Sequence, residues 1–90
     1  MKKTKEEIVT AKEEGFRELP YYCSEGYPTN GYGRKLGTKG APLPKYKVSE
    51  PEAFEWMSQK LVNLRASLED ILYGLDDVRQ AVILSMAYRS

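Results

Sequence analysis

The chain has no histidine, one cysteine and almost no net charge. Without imidazole there is no histidine base, and any chemistry must rest on carboxylates, the thiol, hydroxyls or backbone groups. Zinc sites that pair cysteine with histidine, or use four cysteines, are excluded outright, and no metal or other cofactor is expected. A lone Cys23 cannot close an internal disulfide, which suits a reducing compartment. A formal net charge of +1 gives no general attraction to nucleic acid or to an anionic membrane, and neither is expected as a partner. The basic pairs Lys2-Lys3 and Arg34-Lys35 are short and read as solvated surface. No apolar run approaches the roughly 18 residues of a membrane span. The N-terminus also lacks the apolar core of about 7–15 residues that marks a signal peptide, so the chain is expected to stay in the cytoplasm.

What is present fits one small domain over residues 1–90, in a composition 41% hydrophobic and 30% charged. Residues 4–14 read as a short helix. Thr4 with Glu7 makes a capping box, Ile8, Val9 and Ala11 give an apolar face, and Gly15 ends it in the left-handed position glycine favours. Residues 15–46 hold six of the seven glycines, four prolines and five tyrosines, the composition of an irregular β-hairpin region. A helix is predicted over 49–73. Ser49 and Glu52 form its capping box, Pro51 lies in its first turn, and Phe54, Met57, Leu61, Leu64, Leu68 and Ile71 form its apolar face. Gly74 interrupts, and Asp76 caps a further helix over 76–89 bearing Val78, Val82 and Met86. Because Leu75 keeps the register, one long helix is the alternative.

One constellation carries chemistry. Glu14 ends the first helix against a segment rich in glycine and tyrosine. Aromatic surface disfavours the charged form of a carboxyl, which raises its pKa and suits it to donate a proton. Cys23 and Thr29 are placed to face it across a cleft, and neighbouring tyrosine rings offer the flat faces and hydroxyls that suit sugars.

Taken together these residues resemble the opening of the phage lysozymes, the endolysins of glycoside hydrolase family 24. Glu14, eight residues, Cys23, five residues and Thr29, then Gly31-Tyr32-Gly33, match that family's signature. Glu14-Gly15-Phe16-Arg17 matches its Glu-Gly-x-Arg opening, and Leu75-Asp76-Asp77-Val78-Arg79-Gln80-Ala81 resembles the start of the helix that leads into its second lobe. Asn30 and Arg34 depart from the family's usual apolar residue and histidine. The resemblance implies an α+β fold: a lysozyme-like N-terminal lobe with a short helix, a small antiparallel hairpin region and two further helices, the second helical lobe missing. It implies a glycosidase that hydrolyses peptidoglycan between N-acetylmuramic acid and N-acetylglucosamine. Glu14 would be the general acid, and Cys23 and Thr29 would hold and polarise the attacking water or stabilise the transition state. Tyr21, Tyr27, Tyr32 and Gly31 are the expected substrate-binding residues. Such a protein would act from the host cytoplasm, and reaching the wall would need a separate export or permeabilising step.

Two functional readings follow. One is a bacteriolytic muramidase, impaired by the missing lobe, with peptidoglycan as its partner. The other is a non-catalytic module derived from a lysozyme that binds peptidoglycan, a host or phage protein, or itself through helix faces left uncovered.

Overall fold

A computed structural model describes residues 3–89; Met1, Lys2 and Ser90 lie outside the described residues, and with them half of the Lys2-Lys3 pair. The fold is α+β. Helix α1 (Lys5–Glu14) leads into a sheet of β1 (Arg17–Tyr22), β2 (Pro28–Gly31) and β3 (Arg34–Lys35), followed by α2 (Glu50–Ser67), α3 (Glu69–Leu72) and α4 (Asp77–Arg89).

A side-chain cap starts α1, α2 and α4, while α3 has none. The Thr4 hydroxyl accepts from the Glu7 N–H while the Glu7 carboxylate accepts from the Thr4 N–H, completing the capping box. Ser49 accepts from the Glu52 N–H at 3.2 Å, and Asp76 accepts from the Arg79 N–H at 2.8 Å. Gly15 ends α1 at φ 70°, but its ψ of 150° is extended rather than left-handed helical, so the chain leaves the helix directly into β1.

The three strands lie antiparallel in the order β1-β2-β3, with Tyr21 opposite Thr29 and Thr29 opposite Lys35. An irregularity between Arg17 and Tyr21 breaks the register of β1, which lets Pro20 sit in a strand without breaking the ladder. The sheet stops at Lys35, short of the predicted limit at 46. Gly37, Gly40, Pro42 and Pro44 cannot support a ladder, and 36–48 runs as a loop pinned by Gly40 N–H to Gly26 O and by Tyr22 OH to Ala41 O.

The core gathers Tyr32 and Val48 with Ala53, Met57 and Leu61 of α2, Leu72 of α3, and Leu84 and Tyr88 of α4. Several expected faces turn out otherwise. The helix predicted to run to 73 breaks at Leu68, and this shifts the phase: Leu72 is buried and Ile71 is 61% exposed. On α4 the buried residues are Ala81, Leu84, Ser85 and Tyr88, whereas Val78, Val82 and Met86 face outward. Restarting at Asp76 resets the register, so the apolar run continued from Leu75 does not describe the packed face, and one long helix is ruled out by Gly74 at φ 85°. On α1, Ile8 is exposed while Glu6 and Thr10 are buried against α2 and α4.

Gln80 holds the α3–α4 corner. Its amide N–H groups donate to Leu72 O at 3.2 Å and Leu75 O at 2.9 Å, and its amide oxygen accepts from Arg65 at 2.8 Å. It thereby satisfies carbonyls that the end of α3 leaves without helical partners. Among the described residues no helix is long and apolar enough to cross a membrane.

Candidate active site

Glu14 is the last residue of α1, at the negative end of that helix's dipole. Directly beyond it the chain turns at Gly15, and the β2–β3 turn folds back so that Gly33 lies against the Glu14 carboxyl. A side chain at Gly33 would bring its Cβ within 2.1 Å of Glu14 Oε1, and Gly33 itself has φ 75°. Only glycine meets both conditions.

Another part of the cleft comes from the β1–β2 turn. Cys23 N–H donates to Tyr27 O at 3.0 Å and Gly26 N–H to Cys23 O at 2.9 Å, closing a tight reversal that presents the thiol at its edge. Thr29 is almost fully buried at the start of β2, and its hydroxyl reaches the Tyr27 carbonyl at 2.8 Å and the Cys23 sulfur. Glu14, Tyr21, Cys23 and Thr29 thus line one open cleft of about 360 Å³.

Three expected substrate residues lie elsewhere. Tyr32 is in the core, packed on Phe16 and Phe54, and its hydroxyl donates to Glu50 at 2.7 Å. Burial and that carboxylate push its own pKa up to about 12. Gly31, at φ 58°, lies where a Cβ would be 3.0 Å from Ala53, so it permits β2 to approach α2 rather than a ligand to approach β2. The Tyr27 ring sits under the Lys35 ammonium at 4.4 Å and is not part of the cleft wall.

Residues the sequence reading passed over complete the cleft. Trp56 and Lys60 reach it from α2, and Tyr88 and Arg89 from α4. Trp56 and Tyr88 pack edge-on with ring centres 6.1 Å apart. The i, i+4 spacing of Trp56 and Lys60 places them on one helix face, a signal that an apolar-periodicity count hides by treating both merely as helix surface.

The electrostatics separate these two parts of the cleft. Burial holds the Glu14 proton beyond the ordinary glutamate range, Glu13 adds to this, and Arg89 and Lys60 pull the other way. Hydrogen bonding from the Tyr27 backbone, then from the Glu25 backbone and the Thr29 hydroxyl, lowers the Cys23 thiol against opposing burial and the Glu25 charge. Lys60 is lowered by burial and by Lys35, with Glu14 opposing. Within one cleft, then, the proton affinity of Glu14 is raised and that of Cys23 is lowered. Among the described residues no group of three or more His, Cys, Asp or Glu side chains is placed to hold a metal ion.

A model of the phage lysozyme family matches residues 11–89, which takes in both parts of the cleft and all four helices in whole or part. The chain belongs to the phage lysozyme family. Compared with curated proteins it has no match. Phage lysozymes are glycosidases that hydrolyse peptidoglycan, and Glu14 with the cleft it lines lies within the matched residues. The matched segment begins within α1, three residues before Glu14.

Proposed function

We propose that this chain is a muramidase lobe that cleaves peptidoglycan between N-acetylmuramic acid and N-acetylglucosamine. Glu14 protonates the glycosidic oxygen. Cys23 and Thr29 hold the attacking water on the other side, the thiolate drawing a proton from it as its oxygen bonds to the anomeric carbon. The bond from that carbon to the leaving oxygen breaks, and the leaving sugar departs with the proton from Glu14.

The observation that carries this reading is that Glu14, Cys23 and Thr29 line one cleft, with Glu14 raised by burial and Cys23 lowered by backbone hydrogen bonding. Titratable groups driven apart by their surroundings are how acid and base roles are divided at neutral pH. An ordinary thiol is a poor stand-in for a carboxylate, being only a few per cent ionised near neutrality. The hydrogen bonds to Cys23 move it toward the fixed negative charge the chemistry needs. Trp56 and Tyr21 line the same cleft as the acid, each with an arginine over its ring, Arg34 at 5.1 Å and Arg17 at 4.4 Å.

The test is release of soluble muropeptides from purified peptidoglycan by the chain and by its Glu14→Gln variant. New reducing ends from the parent alone are the expected result. Release by both proteins would overturn the role given to Glu14.

A second reading, a binding module without catalysis, draws support from the outer side of α2 and α3. There Val62, Ile71 and Tyr73 are exposed, Tyr73 to 88%, beside a shallow hollow of about 400 Å³. No release from a folded parent, together with sedimentation on insoluble peptidoglycan, would favour it.

A further inference from the structure

Lys60 follows Trp56 by four residues on α2, so the two side chains leave the same helix face. Its ammonium stands 4.4 Å from the Tyr88 ring centre and 5.5 Å from that of Trp56, and donates to the Tyr88 carbonyl at 3.0 Å. That carbonyl belongs to the last turn of α4, where helical carbonyls lack partners and a cation is favoured. A side chain that is ordinarily flexible is therefore held at one point of the cleft wall, half-buried, in the cleft that Glu14 also lines.

The other groups facing Glu14 do not duplicate it. Arg89 of α4 exerts the larger attraction on Glu14, yet it pairs with Glu13 at 3.7 Å, and Glu13 repels Glu14 from α1 itself. The two charges of that pair offset one another, and both are about half exposed to screening solvent. Tyr21 of β1 and Tyr88 of α4 remain neutral, each with its hydroxyl proton held by burial. Lys35 of β3 acts on Lys60. Among the described residues Lys60 forms no ion pair with a carboxylate, so its field on Glu14 is not shared. The Lys60 charge favours the ionised form of Glu14, and the Glu14 charge in turn favours the charged form of Lys60.

We propose that Lys60 is a positioning residue of this site, a cation seated on the Trp56–Tyr88 ring pair that keeps the Glu14 carboxyl ready to release its proton. Burial alone would make Glu14 an acid that holds its proton too firmly. The fixed ammonium offsets part of that penalty and stabilises the carboxylate left after proton transfer. The inference rests on the acid role given to Glu14 above.

The test follows the Glu14 side-chain carboxyl by carbon NMR through a pH titration of the full chain. In Lys60→Gln the proton affinity of Glu14 rises about threefold or more, and in Lys60→Arg it stays at the parent value. Coupling is reciprocal, so in Glu14→Gln the Lys60 ammonium releases its proton more readily by the same factor, a measurement that leaves the Lys60 anchor intact. The high-pH limb of muropeptide release moves upward in Lys60→Gln by the amount that the Glu14 titration moves. An unmoved Glu14 titration in folded Lys60→Gln, or an unmoved Lys60 in Glu14→Gln, would overturn the proposal even if the parent hydrolyses peptidoglycan. Coupled titrations with no release from the parent would instead overturn the acid role and leave the Lys60–Glu14 coupling standing.

Discussion

The two ends of α1 carry glutamates in opposite condition. At the first turn, burial alone would raise Glu6, but hydrogen bonds from Arg65, its own backbone and Thr4 outweigh that and lower it. Glu7 is in the same position, with burial outweighed by Ser58 and Thr4. At the last turn Glu14 is also partly buried, yet no hydrogen bond offsets it, and its proton is held more tightly. The helix dipole acts in the same sense, favouring negative charge at the first turn and disfavouring it at the last. Residue type is constant across the comparison. Partners and position along the helix decide whether a glutamate gives up its proton more readily or holds it more tightly.

The sharpest way to break this contrast is Glu14→Gln. Muropeptide release should fall by about a hundredfold or more, the usual worth of a general acid, while the circular dichroism spectrum stays that of the parent. Next is Gly33→Ala. A Cβ there would meet the carboxyl, and a displacement of about 1 Å in a reacting group costs on the order of a hundredfold in rate. The expected loss is about tenfold to a hundredfold in kcat, with little change in binding to insoluble peptidoglycan. Cys23→Ser should follow with about a tenfold loss, and Cys23→Asp should restore release, since the carboxylate supplies the charge the thiolate provides. Alkylation of Cys23 by iodoacetamide, followed against pH, should show a midpoint below that of a free thiol.

The smallest effect has a sign that differs between the two ends. Glu6 is lowered in the folded state, so its contribution to stability is present above its ordinary value of 4.5 and is lost as pH falls through the folded value. Glu14 is raised, so its contribution is present below 4.5 and is lost as pH rises through the folded value. At neutral pH, Glu6→Gln should therefore destabilise by about 1–2 kcal/mol, because it leaves Arg65 without its buried partner. Glu14→Gln should be neutral or slightly stabilising. Urea midpoints measured at about pH 3 and about pH 7 decide this, and a loss of equal size from both variants at neutral pH would erase the contrast.

Features that depend on neighbours in sequence were legible before the structure. The caps at Thr4, Ser49 and Asp76 each join a side chain to a backbone N–H three residues on, and spacing alone exposes them. The same is true of the Glu14, Cys23 and Thr29 set, which the fold gathers around one cleft. What the sequence concealed was which face of each helix turns inward. Ile8, Val78 and Val82 are exposed while Glu6 and Ser85 are buried, because α1 and α4 meet along a face chosen by long-range packing. Glu6 tolerates burial through Arg65, which lies 59 residues away. Tyr32 carries a related ambiguity. A ring with one polar tip serves a sugar or a core equally well, and only its partners Phe16, Phe54 and Glu50 distinguish the two.

The bond from the Tyr88 hydroxyl to the Tyr32 carbonyl spans 56 residues and ties α4 to the turn that cradles Glu14. Such a closure is slow to form relative to the local turns of the helices, since it draws together segments far apart along the chain. The surroundings of Glu14 therefore depend on a helix far along the chain: Tyr88 and Arg89 of α4 line its cleft, so a substitution that loosens α4 would be felt at the carboxyl.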